Sequence, residues 1–241
     1  MNRQAQAVVM LLLGGTVVKA SVTDLHLRYV KEGLRPFLIV AGLLLISAAV
    51  MTLWYELRPP KTGPCAPTEH DGHAHHEPRV GWLLILPVLG LLLVAPPALG
   101  SYAAGHAGSV LAGQNSPSDY PALPPGDPAA IGLLDYASRA VFDDGRSLTG
   151  RHLQLIGFIT PAADGAPMLA RMILSCCAAD GRPIKVGLTG DVPTSVPPDT
   201  WVQIVGTYAS KRTEDPVNKA PVPYLEVKTW QEIPPPRQQY E

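Results

Sequence analysis

Two stretches of this 241-residue chain carry side chains able to hold or hand on a ligand. The first runs Pro64-Cys-Ala-Pro-Thr-Glu-His-Asp-Gly-His-Ala-His-His-Glu-Pro78. It places His70, Asp71, His73, His75, His76 and Glu77 within one short segment, with Cys65 just upstream, and holds four of the chain's seven histidines. Imidazole is a borderline ligand that suits Zn(II), Cu(II), Ni(II) and Co(II). A loop with closely spaced histidines can wrap several nitrogens around one ion, held weakly because the loop must order on binding. The competing reading is a solvated, turn-rich loop without a ligand. With no C-x-x-C pair alongside, it is not a closed structural zinc site.

The second stretch is Arg171-Met-Ile-Leu-Ser-Cys-Cys-Ala-Ala-Asp180. In an extended strand, Cys176 and Cys177 would point to opposite faces. At a turn, both could face one site with Asp180. Thiolates favour Zn(II) and Cu(I), so Cys176, Cys177 and Asp180 form a candidate metal cluster. Core filling and a vicinal disulfide are the alternatives, since free cysteine is among the most buried residue types. Three cysteines in all do not make a disulfide framework. No G-x-S-x-G, H-E-x-x-H or P-loop is present, His106 and His152 stand alone, and Asp143-Asp144 before Gly145 reads as a helix-end turn. The expectation is that the chain is not an enzyme.

The elements that must position these residues fall into two halves. Charged residues make up 16% of the chain, against about 25% in an average soluble protein. The deficit is concentrated in two runs. Pro36 to Trp54 reads PFLIVAGLLLISAAVMTLW, and Gly81 to Gly100 reads GWLLILPVLGLLLVAPPALG. A helix rises about 1.5 Å per residue, so each run covers the hydrocarbon of a bilayer. Trp54, Tyr55, Trp82 and Tyr102 sit at their ends, where aromatic belts form. Gln4 to Val18 is a shorter apolar segment, a third span or an interfacial helix. The formal net charge of −1, with scattered Lys and Arg, argues against nucleic-acid binding.

Residues 101–130 hold five prolines with many small residues, and read as a linker without a core. Leu133 to Asp144 has helical spacing. Five runs follow that are rich in Val, Ile, Leu and Thr: 152–160, 168–175, 184–188, 200–208 and 224–233. Five short strands suit a small closed barrel of the OB type, with a β-sandwich as competitor. Gly157 and Gly206 fall inside strands, where a barrel needs bends or bulges.

On these residues the sequence resembles the YcgQ-like family of uncharacterised bacterial membrane proteins. The resemblance is carried by Leu86-Pro87, Pro96-Pro97, Leu99 and Ser101 around the last apolar run. It continues through Gly150, Gly157-Phe158, Arg171, Ser175-Cys176-Cys177, Asp180, Trp201-Val202 and Gly206. It implies a partner: such proteins are typically encoded beside a predicted multi-span permease, which points to a two-subunit membrane complex, and a link to zinc supply has been suggested for the pair.

The expected architecture is thus an α-helical membrane domain over 1–103, with two or three transmembrane helices and the His-rich loop 65–78. A Pro/Gly-rich linker over 104–131 and a soluble, all-β OB-like barrel over 132–241 complete it. The expected function is that of an accessory subunit of a permease in the cell membrane, concerned with divalent metal, Zn(II) first. The candidate ligands are His70, Asp71, His73, His75, His76, Glu77, Cys176, Cys177 and Asp180. The expected partners are the permease subunit and the lipid bilayer. The alternative function is a structural assembly subunit whose β domain is an interaction module without a metal role.

Overall fold

A computed structural model describes residues 3–58, Gly90, 97–112 and 120–241. The His-rich loop, with His70, Asp71, His73, His75, His76 and Glu77, and nearly all of the apolar run 81–100 lie outside the described residues. The chain divides into two compact units.

The first unit contains helices α1 (Arg3–Val22) and α2 (Arg35–Leu57). Pro36 sits in the first turn of α2, where its missing N–H costs nothing. The helices approach through small residues. A Cβ added at Gly14 would meet the Gly42 carbonyl oxygen at 2.8 Å, and one at Gly42 would meet Val18 Cγ2 at 2.7 Å. Ala7 and Ala49 are fully buried. Close approach through Gly and Ala is how helices pack where no water drives them together. Much of the apolar surface of α2 nevertheless faces outward: Phe37 is 69% exposed and Leu44 63%. The helix is long and apolar enough to cross a membrane. The weak first segment, expected over 4–18, is a full twenty-residue helix, whose apolar part is Gln6–Val22.

The second unit, Leu27–Lys31 with Pro97–Glu241, is built on a barrel. Its strands are β2 (Leu153–Pro161), β3 (Pro167–Ile173), β4 (Arg182–Gly190), β5 (Trp201–Glu214) and β6 (Pro221–Glu232). A two-residue strand β1 (Ala129–Ala130) runs parallel to β2 at the margin. The order is β2-β3-β4-β6-β5, and β5 pairs back to β2, which closes the sheet. All neighbours are antiparallel except β4 and β6. Closure rules out the sandwich and leaves a five-stranded OB-like barrel.

Alternation fills the interior. Leu153, Leu155 and Ile159 of β2, Leu169 of β3, Ile184, Val186 and Leu188 of β4, Val202 and Ile204 of β5, and Leu225 and Val227 of β6 form one cluster. Gly157 takes an inward position in β2 where a Cβ would lie 2.6 Å from the Ala170 carbonyl oxygen. Gly206 sits at a register shift between β5 and β6, the bulge a small barrel needs. Helix α4 (Leu133–Phe142) adds Leu133, Tyr136, Ala137 and Ala140 to the same cluster, at the spacing of one helix face.

The segment expected as a linker departs from that reading. Ser101–His106 is a short helix, α3, and its Ala104 joins Phe158, Ala170, Met172, Trp201 and Tyr240 in a second cluster, outside the barrel. Val110, Leu111 and Ala129 belong to the interior cluster. Small residues allowed this segment to lie flat on the sheet. Polar groups fasten it: Lys185 Nζ donates to the Ala107 carbonyl at 2.9 Å and pairs with Asp215 at 2.8 Å, and Asp215 accepts from the Ser109 N–H at 3.0 Å.

Candidate metal centre

Strand β3 stops at Ile173, and Leu174 is still buried. Ser175, Cys176 and Cys177 then turn out of the sheet, and three successive N–H groups converge on one carboxylate. Asp180 accepts from the N–H of Ser175 at 2.9 Å, of Cys176 at 2.8 Å and of Cys177 at 3.4 Å. The turn closes as a 3-10 helix, Ala178–Asp180, with Cys177 as its N-cap. The Cys177 sulfur accepts from the Asp180 N–H while the Asp180 carboxylate accepts from the Cys177 N–H, a reciprocal cap. Gly181 follows, where a Cβ would lie 3.1 Å from the Ala178 carbonyl oxygen and against the tip of Leu99.

The second side of the loop is held from far away in sequence. Lys31 N–H donates to the Cys176 carbonyl at 3.1 Å, and Ala178 N–H donates to the Tyr29 carbonyl at 2.6 Å. Val30 forms an antiparallel bridge with Cys177.

This geometry settles which way the two cysteines face. The sulfurs and an Asp180 oxygen all lie within 4.8 Å of one another. Cys176 is exposed, Cys177 is partly exposed, and both are free thiols, so neither fills the core. A tetrahedral Zn(II), with bonds of about 2.3 Å to sulfur and about 2.0–2.2 Å to oxygen, sets its donors roughly 3.5–3.8 Å apart. A modest contraction of the loop would bring these three into place. The fourth position would stay open to water or an incoming donor.

The electrostatics of the loop are those of a carboxylate guarding a thiol. The Cys176 S–H donates to Asp180 and is further raised by its hydrogen bond to Cys177, so the thiol climbs from the ordinary 9.0 to about 11. The same S–H bond, with the backbone N–H groups, holds Asp180 at about 2. At neutral pH the loop therefore carries a protonated Cys176 against an ionised Asp180. A soft cation would displace the thiol proton and take its place against the carboxylate.

Among the other singled-out residues, Arg171 is a positioning group outside this cluster. It pairs with Glu241 at 3.3 Å, and Glu241 also accepts from the N–H groups of Leu133 and Leu134 at the start of α4. His106 Nδ1 lies 2.8 Å from the Tyr102 carbonyl and His152 Nδ1 lies 3.0 Å from Asp127. Neither joins the thiols. The Ser147 side chain, and then the Ser147 N–H that donates to it at 2.8 Å, hold the Asp143 carboxyl below its usual range, as in a turn carboxylate. Tyr29 and Lys31 carried no sequence signal, since the bonds they give this turn are backbone ones.

No curated protein and no solved structure matches the chain. A family model does match, over residues 139–241. That range begins inside α4, takes in every strand of the barrel and contains Cys176, Cys177 and Asp180. The match is to the DUF1980 C-terminal domain, and the donors of the candidate centre all lie within the matched residues.

Proposed function

We propose that this protein is an accessory subunit of a membrane permease complex that handles a divalent metal, Zn(II) first, in the cell membrane. The observation that carries the reading is the convergence of Cys176, Cys177 and Asp180 on an exposed turn. Two thiolates with one carboxylate favour Zn(II) over Cu(I), which prefers sulfur alone. An open fourth position suits transfer, because a four-ligand structural site would hold the ion too tightly to release it. The His-rich loop, His70 to Glu77, would gather the ion, and its imidazoles are the natural incoming donors. Helix α2, with α1 beside it, and the apolar run 81–100 would span the bilayer as a multi-pass anchor. They would meet a multi-span permease subunit of the kind the YcgQ-like resemblance implies.

The test is metal titration of the full-length protein in detergent. Wild type should bind Zn(II) with release of thiol protons, and its affinity should rise with pH between 6 and 8, by about tenfold per unit for each proton displaced. Cys176→Ser and Cys177→Ser should each abolish the tight site. Unchanged stoichiometry in both variants removes the thiols from the mechanism. Deleting residues 69–77 should leave the thiol site loaded more slowly, with a growth defect under metal limitation.

A further inference from the structure

The dithiol turn has two supports, and Asp180 is only the inner one. The outer support is Leu27–Lys31, the segment that joins α1 to α2 in the chain and counts with the barrel unit. We propose that this segment is a strap that positions the thiols, so that ion occupancy of Cys176 and Cys177 and docking of the strap form one linked equilibrium. The proposal deepens the metal reading and rests on it.

The bonds bracket the cysteines. Lys31 N–H holds the carbonyl of Cys176, and the Tyr29 carbonyl holds the N–H of Ala178, the residue after Cys177. With Val30 bridged to Cys177, the backbone between the two sulfurs cannot rotate without breaking one of these contacts. The strap is itself anchored. Leu27 is 8% exposed. The Arg28 carbonyl accepts from the Tyr240 hydroxyl at 2.7 Å, and that oxygen accepts from the Leu99 N–H at 2.9 Å. Tyr240 is in turn buried in the outer cluster.

The consequence follows from covalent continuity. Both ends of the strap run on into apolar helices, so a rearrangement of either helix end pulls on residues 27–31. A docked strap gives the dithiol its paired geometry. An undocked strap lets the sulfurs diverge and lowers the affinity. By linkage, a bound ion must favour docking by the same factor. A helix movement could thereby release the ion with no change at the thiols themselves.

The experiment uses full-length protein in detergent and Zn(II) as the probe, with affinity read by competition against a chromophoric chelator. Lys31→Ala keeps the N–H donor, and Lys31→Pro deletes it. Lys31→Ala should bind like wild type, and Lys31→Pro should bind roughly five- to tenfold more weakly, as loss of one positioning hydrogen bond allows. Tyr240→Phe, which frees the Arg28 carbonyl, should shift affinity the same way by less, and it guards against misfolding of the proline variant. In wild type, Zn(II) should slow amide exchange at Lys31 and Ala178. If both strap variants bind as wild type and exchange at Lys31 ignores Zn(II), the strap is overturned and the metal site stands. If the Cys176→Ser/Cys177→Ser double variant binds Zn(II) as tightly as wild type, the metal reading falls and the strap falls with it.

Discussion

An exposed cysteine is ordinarily a reactive one, but Cys176 sits against a carboxylate that reverses the expectation. Thiolate is the nucleophile, and its fraction is set by pKa. With Cys176 at about 11, the thiolate is about one part in a thousand at pH 8, against about one part in eleven for a thiol at 9.0. Lower basicity also weakens the nucleophile, which takes back about half of the gain on a logarithmic scale. Asp180→Asn, which removes the charge and keeps an acceptor, should therefore speed alkylation of Cys176 by iodoacetamide, by up to about tenfold at pH 8, the hydrogen bond to Cys177 holding back the rest. Peptide mapping of the labelled site checks it, and an unchanged rate would show that Asp180 does not govern the thiol. The two groups also stabilise the turn over opposite pH ranges. Asp180 is lowered, so its contribution is present above its ordinary value of 3.8 and is lost as pH falls through about 2. Cys176 is raised, so its contribution is present below 9.0 and is lost as pH rises through about 11. This cluster was legible in the sequence because its members lie within five positions, and any tight turn brings them together. Tyr29 and Lys31 were not legible, because a backbone contact with a partner so distant in sequence leaves no mark on side-chain type.

At the scale of elements, alternation of Val, Ile and Leu exposed all five barrel strands, since each lines one interior. The far end of β5 was missed: Ser210 to Glu214 is polar and exposed, and hydropathy has no purchase on a hairpin that leaves the core. The larger miss was at the described residues of the expected linker, 101–112 and 129–130. Proline and small residues read as a linker because they bring little apolar bulk, yet α3 and residues 107–111 are held on the barrel by a charge pair that hydropathy counts as solvent-facing. Lys185 is 5% exposed and Asp215 fully buried. Breaking such a pair strands a cation in a dry place, at a cost of about 3–5 kcal/mol. Asp215→Ala should lower the stability of the barrel unit by that order in chemical denaturation. It should also open residues 107–112 to limited proteolysis, since the Ser109 N–H loses its acceptor as well. Wild-type resistance at 107–112 in this variant would mean that apolar contacts alone seat the segment.

The chain joins a closed barrel to two apolar helices, one of them, α2, long and apolar enough to cross a membrane. Two physical accounts compete for α2. A core helix of a soluble protein buries its apolar residues, whereas a membrane helix offers them outward. Among the described residues of α2, only Gly42 and Ala49 are buried, both small. Phe37, Val40, Leu43, Leu44, Val50, Met51 and Trp54 are all exposed. Each such side chain left in water costs about 1.5–3 kcal/mol relative to burial. Seven of them on one helix come to about 10–20 kcal/mol at full exposure, the same order as the whole stability of an ordinary domain, about 5–15 kcal/mol. Such a surface calls for a cover, and on the proposed reading lipid or a partner's membrane helices supply it. The full-length chain should remain with membranes through an alkaline wash, and removing residues 3–57 should reduce its retention. Whatever hold persists after that removal measures the anchoring by the run 81–100 and so separates a single-span from a multi-pass anchor. Recovery of the intact chain as a monodisperse species in detergent-free buffer would show instead that α2 finds its cover within soluble protein, and the permease reading would lose its footing.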